Sequence, residues 1–289
     1  MDERILKRLD RAAGVEDIAG ALERLAPTDL QSLLLEVYRR RAAALTPSAL
    51  LKRYEESRFV SPAGSNFPDL LEFDRRALSL LPDDYQPIEL SPVAPLGAAA
   101  VLGGLSQDWA IATARNSEVV SDSTNVLALE CALRRRHDRK LAVKLISSHR
   151  LIRGQDYGAQ AGQHFRLLGL AAAGRGDSFG VDALVEQLGF FSRLLGDIRI
   201  VLTPLDGTLA EDVRERVDGR VELDHSRTSG RAYYVRLCFK IYRDDVELGD
   251  GGFTDWTQTL LGDAKERLLI SGIGTERAVL PLRQQVDDE

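Results

Sequence analysis

Apolar positions in the first 60 residues recur at helical spacing, as at Leu30, Leu33, Leu34 and Val37, so the pattern predicts helices throughout this stretch. Two of the expected starts carry cap signals. Thr28 followed by Gln31 is a capping-box pattern, in which the hydroxyl accepts from a first-turn amide and the Gln side chain reaches back. Thr46 with Pro47 is the second, because proline at the first helical position gives up only an N–H that has no partner there. SPAGSNF at 61–67 is a Pro/Gly/Ser/Asn turn cluster and the expected boundary. It separates a helical extension over 1–65 from a core domain over 66–289.

Beyond the boundary the period changes repeatedly. Leu70, Phe73, Ala77, Leu78 and Leu81 make a helix stripe, and Ile88 and Leu90 begin a strand that ends at the prolines of SPVAPLG. STNVLALECALRRR reads as a capped helix, and LAVKLISSHR with HFRLLGLAAAG as an antiparallel hairpin around a glycine-bearing loop. Val181, Leu184, Val185, Leu188, Phe191 and Leu195 give an amphipathic helix. Tyr233, Val235, Leu237, Phe239 and Ile241 alternate with Tyr234, Arg236, Cys238, Lys240 and Tyr242. That alternation predicts a strand with two unlike faces, Tyr233 on one and Tyr234 on the other. LLISGIGTERAVLPL reads as a strand, a glycine turn and a helix from about Thr275. Antiparallel strands mixed with helices, without regular βαβ alternation, predict an α+β fold, an antiparallel sheet flanked by helices, and argue against a Rossmann nucleotide site.

Composition narrows the partners. With 289 residues, 44% of them hydrophobic, the chain has material for a sizeable core. Its 38 Lys and Arg against 44 Asp and Glu leave a net charge of −6, which disfavours a polyanion such as tRNA. Cys131 and Cys238 are far apart and set in apolar segments, as expected of buried free thiols in a reducing compartment. His137, His149, His164 and His225 show no helical pairing that would build a zinc site, so no metal site of the protein's own is expected. The N-terminal MDERILKRLDRAAG lacks an apolar run after its charges, so a cytoplasmic protein with no membrane segment is expected.

The GIGTER stretch at 272–277 lacks the lysine of a phosphate-binding loop, yet its place between a strand and a helix gives it meaning. Strand, glycine turn and helix opening on Glu276 and Arg277 resemble motif 3 of the class II aminoacyl-tRNA synthetases, whose arginine lies on the nucleotide phosphates or stacks on adenine. PDDYQPIELSPVAP with its preceding helix resembles motif 1, the dimer-forming helix and strand ending in proline, here Pro92. The stretch 141–174 resembles the motif 2 hairpin, with Arg150 as its arginine. Histidyl-tRNA synthetases are the most similar branch. There a strand with paired tyrosines leads to a glycine-rich turn and motif 3, and here YYVRLCFKIY leads to GDGGFTDW and then SGIGTER.

The resemblance implies ATP and Mg2+ as cofactors, with Arg150 and Arg277 as catalytic residues converging on the triphosphate and Gly272, Gly274 and Glu276 beside them. Arginine suits such places because its planar fork binds phosphate in bidentate fashion; the plainer reading of each is a surface ion pair. It also implies a substrate pocket of Asp122, Thr124, Tyr233, Tyr234, Gly251 and Gly252, and a homodimer. Asp122 reads equally as the N-cap of the following helix, and Gly251 and Gly252 as a tight turn. The basic run Arg134, Arg135 and Arg136 reads as a solvated helix end.

Departures from the histidyl pattern fall at substrate positions. The acid normally two residues after the motif 2 arginine is replaced, since Leu151 and Ile152 follow Arg150. Two polar partners of the substrate ammonium become Leu167 and Ala171, and an arginine and an aspartate before the tyrosines become Ser229 and Ala232. An ammonium ion buried against apolar side chains alone costs several kcal/mol, on the order of the penalty for an unpaired buried charge. The segment between the hairpin and the tyrosines is too short for the inserted domain of the family, and no anticodon-binding domain is expected after motif 3. The expected function is therefore a non-tRNA-charging paralogue of the core that binds a nucleotide or small ligand in a regulatory role, comparable to the regulatory subunit of ATP phosphoribosyltransferase. The alternatives are an adenylate-forming ligase acting on a carboxylic or unusual amino acid, and an interaction protein whose N-terminal helices dock a protein partner.

Overall fold

The structure, a computed structural model, describes residues 2–155, 163–207, 209–228 and 233–284. The chain divides into two compact units, Met1–Ser61 with Ala112–Ser117, and Pro62–Ile111 with Glu118–Glu289. The first holds helices α1 (Glu3–Ala13), α2 (Ile18–Glu23), α3 (Pro27–Ala43) and α4 (Pro47–Glu56). Thr46 caps α4, its hydroxyl accepting from the Ala49 amide at 3.2 Å. The capping box expected at Thr28 is not formed. Pro27 takes the first helical position, which moves the cap back to Ala26 and leaves Thr28 inside the helix. None of these helices buries a side chain, and Tyr38, Leu50, Leu51 and Tyr54 are exposed.

In the second unit the elements follow as α5 (Phe67–Ser79), β1 (Gln86–Pro87), β2 (Val93–Pro95), α6 (Ala98–Gly103), β3 (Ser117–Val119), α7 (Ser123–His137), β4 (Val143–Ile152), β5 (His164–Arg175) and α8 (Asp177–Leu195). After these come β6 (Arg199–Pro204), α9 (Leu209–Arg216), β7 (Arg220–Leu223), β8 (Val235–Arg243), β9 (Val246–Thr254), α10 (Trp256–Leu261), β10 (Glu266–Gly274) and α11 (Thr275–Gln284). The strand expected at Ile88 and Leu90 is instead two short pieces, β1 before it and β2 after it.

Among the described residues an eight-stranded sheet runs in the order β1-β4-β5-β10-β9-β8-β6-β7. Its β4-β5-β10-β9-β8-β6 run is antiparallel, and β1 and β7 add parallel edges. Alternation along each strand sends side chains to two faces. Ile146, Leu168, Leu170, Ala172, Leu269, Ile273, Phe239 and Ile241 face a core built with α5, α8, α9 and α11. Leu145, Ala171, Ala173, Leu268, Ile270 and Cys238 face a second core built with Leu127, Ala128 and Cys131 of α7 and Trp256 of α10. These are called the α8 face and the α7 face below. Gly169 of β5 lets α7 approach, since a Cβ there would stand 2.8 Å from Ser123 Oγ.

The basic run at the end of α7 departs from expectation. Arg134 pairs with Glu130 and Arg136 is exposed, but Arg135 is buried against β10, where its Nε donates to Glu266 Oε2 at 2.5 Å and its Nη2 to Oε1 at 2.9 Å. Its other donors reach the carbonyls of Leu141 and Arg139. Helical periodicity turns the middle arginine of the three inward, and the carboxylate waiting on β10 together with the two carbonyls makes that position tolerable.

Candidate functional site

The N-terminus of α7 stands over the middle of the sheet. Asp122 is its N-cap, its Oδ1 accepting from the Thr124 amide at 2.9 Å and from the Thr124 hydroxyl at 2.8 Å. The second carboxylate oxygen meets Arg153 Nη2 at 3.4 Å. Arg153 itself is fixed by its Nε donating to the Ser121 carbonyl at 2.8 Å and by stacking over the Phe165 ring, 5.2 Å from the centroid. Capping thus occupies one oxygen of the Asp122 carboxylate, as its N-cap reading expects, and the Arg153 pair takes up the other.

Cross-strand register places a second carboxylate on the same face. Gly169 pairs with Gly272, and Gly272 with Asp250, so all three share the α7 face at successive strand spacings of about 4.8 Å. Asp250 lies 3.6 Å from Arg227 Nη2 across an ion pair. Burial, together with the negative charges of Asp122 and Glu247, pushes the Asp250 carboxyl up to about 6 against the pull of Arg227. Tyr233 and Tyr234 complete the cluster with ring centroids 4.6 Å apart, and burial, with Asp122 and Asp250 adding to it, raises the Tyr233 hydroxyl.

The two tyrosines do not point to opposite faces as alternation predicts. They precede β8, and Arg236 adopts φ 65° in the bulge between Val235 and Cys238. Two residues, Arg236 and Leu237, are extra there relative to β9, which keeps the alternation within β8; Tyr233 and Tyr234 lie ahead of the strand, outside that alternation, and both rings join the α7-face core beside Trp256. Gly251 and Gly252 likewise form no turn. They lie inside β9, where a Cβ at Gly251 would meet Phe239 at 2.5 Å and one at Gly252 would meet Tyr234 Cδ1 at 2.7 Å. Gly272 and Gly274 are also strand residues, running directly into α11 at Thr275. A Cβ at Gly272 would press on Leu167 at 3.1 Å.

The expected meeting of Arg150 and Arg277 is not found. Arg150 follows Ile146 and Ser148 on the α8 face, where its Nη2 contacts Glu276 Oε1 at 3.2 Å and its Nη1 contacts His164 Nδ1 at 3.0 Å. Glu276 is spent on this pair and on the Arg166 amide, which donates to its Oε2 at 2.8 Å. Arg277 is exposed, with its methylenes 3.8 Å from where a Gly274 Cβ would stand and its Nη1 donating to the Glu247 carbonyl at 3.2 Å. Gly274 pairs with Leu167, so Arg277 lies toward the α7 face. The arginine that shares that face is Arg153. Ser229 and Ala232 lie outside the described residues.

An antiparallel sheet in which the β4-β5 hairpin lies beside β10, and β10 runs into α11, is the arrangement that the motif order implied, although Arg150 and Arg277 do not meet on it. The chain has a class II aminoacyl-tRNA synthetase-like core. An ATP phosphoribosyltransferase regulatory subunit/histidyl-tRNA synthetase from Bacillus halodurans superposes with a TM-score of 0.60 at 13% identity, covering 78% of this chain and 82% of that one. A histidyl-tRNA synthetase from Nostoc gives 0.62 at 14% identity over 79% and 75% of the two chains. Pyrrolysyl-tRNA synthetase from Desulfitobacterium hafniense gives 0.54 at 14% over 82% and 75%. No protein-family model matches the sequence, and no curated protein is similar to it in sequence.

Within this class II-like core, Leu167 and Ala171 both face the α7 side, Leu167 packing by Leu151 and Val120, and Ala171 under α7. Three residues of the polar cluster were not singled out from sequence: Arg153, Asp250 and Arg227. Parity could have found the first, because Arg153 and Leu151 share the side of β4 that faces Leu167, and Arg150 does not. Among the described residues no three metal-binding side chains gather, and no helix is long and apolar enough to cross a membrane.

Proposed function

We propose that this chain is a non-tRNA-charging relative of the histidyl-tRNA synthetase core, and that it binds a nucleotide or small ligand on the α7 face in a regulatory role. One observation carries the reading: Asp122, Arg153, Tyr233 and Asp250 form a half-buried polar cluster while the neighbouring Leu167 and Ala171 are apolar. A polar centre is kept there and the ammonium partners of a histidine substrate are not. The buried Ser147 and Ser123 hydroxyls, without hydrogen-bond partners among the described residues, sit along the same floor and suit a polar ligand.

ATP fits these residues through Arg277, whose guanidinium is exposed above the glycine-bearing end of β10, and through Arg153. Mg2+ would come with the phosphates, which is its usual mode of binding. Bound nucleotide would supply an electrophilic phosphate; the chain's own part is to hold its oxygens with fixed positive charge. Phe67, Leu71 and Leu78 on the exposed side of α5 support a homodimer, and the exposed Tyr38, Leu50, Leu51 and Tyr54 support a protein partner, as the name of the Bacillus halodurans relative suggests. Buried thiols at Cys131 and Cys238, joined in no disulfide, agree with a cytoplasmic location.

Calorimetric titration with Mg-ATP, alongside histidine-dependent pyrophosphate exchange, tests the reading. Nucleotide binding with no exchange is expected, and histidine-dependent exchange would overturn it. Arg153 and Arg277 on one face favour a second reading, an adenylate-forming ligase, which exchange driven by another carboxylic acid would support.

A further inference from the structure

Helix α3 of the N-terminal unit carries Asp29, Leu33, Val37 and Arg41 about one turn apart, a single i, i+4 row along its length. Every member of the row faces water. Leu33 and Val37 are each 40% exposed, and Asp29 and Arg41 are exposed as well. The partly buried side of the helix is a different one, with Leu30, Leu34 and Leu35. Arg39 and Arg40 are both taken by Glu36 within the helix, whereas Asp29 and Arg41 form no ion pair among the described residues. The row thus holds two branched apolar side chains between an anion at one end and a cation at the other.

We infer that this row is a contact between two copies of the chain, with α3 lying antiparallel against α3 of the second copy. In reverse the row presents Arg41, Val37, Leu33 and Asp29. A two-fold axis at the level of Leu35 therefore sets Leu33 against Val37 of the partner subunit, and Asp29 against Arg41 of the partner subunit. A contact between identical surfaces demands such self-complementarity, whereas a surface for an unrelated protein does not. Rows of this spacing run side by side when two helices cross at about −50°, the commonest packing class. Within one helix the two charges stand about 18 Å apart at 1.5 Å per residue, beyond the screening length at physiological salt, so a second copy is what neutralises them. None of the helices of this unit buries a side chain, and the contact covers apolar surface that one copy leaves in water. It uses no residue of α5 or of the α7 face.

The test is sedimentation velocity with native mass spectrometry on the full chain carrying Leu71→Glu, a change at an exposed position that closes the apolar surface of α5. That chain still forms a dimer. Asp29→Arg and Arg41→Asp each weaken the dimer at least tenfold, because one reversal acts twice across a two-fold contact and sets like charges opposite. The double reversal restores it to within about threefold of the unreversed chain. An equimolar mixture of the two single variants gives the mixed dimer, which needs no helix with both ends reversed. If Asp29 and Arg41 serve only the dipole of their own helix, the double reversal is instead the worst of the three, and the inference is overturned. A Leu71→Glu chain that stays monomeric overturns it too, as do single reversals without effect. Circular dichroism checks that helix content is kept in each variant, and comparison of Leu71→Glu with wild type reads the α5 contact separately.

Discussion

The Arg150 guanidinium meets the Glu276 carboxylate at 3.2 Å, on the face of the sheet opposite the one toward which Arg277 lies. The pair ties β4 to the first turn of α11. Arg150→Ala therefore leaves Mg-ATP affinity within about twofold of wild type and lowers unfolding free energy by about 1 kcal/mol, as for a partly exposed hydrogen-bonded pair. Arg277→Ala behaves in the opposite way, weakening nucleotide at least tenfold with stability unchanged. Calorimetry and urea denaturation on the two variants check both halves.

Arg135 and Glu266 carry charges that are almost wholly removed from water, with side chains 1% and 0% exposed. Removing one partner strands the other, so Glu266→Gln costs about 3–5 kcal/mol in denaturant unfolding. The double replacement Arg135→Met with Glu266→Leu recovers part of that loss. A single variant as stable as wild type would show that the pair is hydrated.

Gly252→Ala puts a methyl group 2.7 Å from Tyr234 Cδ1 and 2.8 Å from Cys238. Overpacking of this kind costs about 1–3 kcal/mol. The tyrosine ring must move, and near-UV circular dichroism, together with the melting temperature, reports it. The same change at Gly176, whose Cβ would meet nothing but whose φ is +83°, strains only the backbone and leaves the tyrosine signal intact.

Much of this was legible from the chain alone. The hairpin of β4 and β5, the helix after Asp122 and the helix after Gly274 follow from periodicity and capping. The face of each arginine depended on parity instead. Arg150 and Arg153 are three residues apart near the end of one strand, and motif order cannot choose between them, whereas counting from Ile146 can. Asp250 was hidden because its partners Arg227 and Asp122 come from distant parts of the sequence. GDGG resembles a turn, but these glycines serve the rings of Phe239 and Tyr234 on the adjacent chain segment, a demand visible only once β8 and β9 are paired. Arg135 was hidden in the same way by Glu266.

Asp250 sets the expected pH dependence. Its pKa, raised to about 6 by burial among Asp122, Glu247, Arg227 and Tyr234 near Lys240 and Tyr233, exceeds the ordinary 3.8 of the unfolded chain. The folded state then binds the extra proton between these values, so this group makes stability fall as pH rises from about 4 to 6. Above 6 its contribution is flat. Asp250→Asn removes that slope in unfolding measured across the same range.

We place the ligand on the face of this core beneath α7, held by Arg153 and Arg277. A crystal structure with a non-hydrolysable ATP analogue tests it most directly. The triphosphate is expected on the α7 face, in contact with the Arg277 and Arg153 guanidinium groups. A triphosphate bound beside Arg150 and His164 on the α8 face would contradict it.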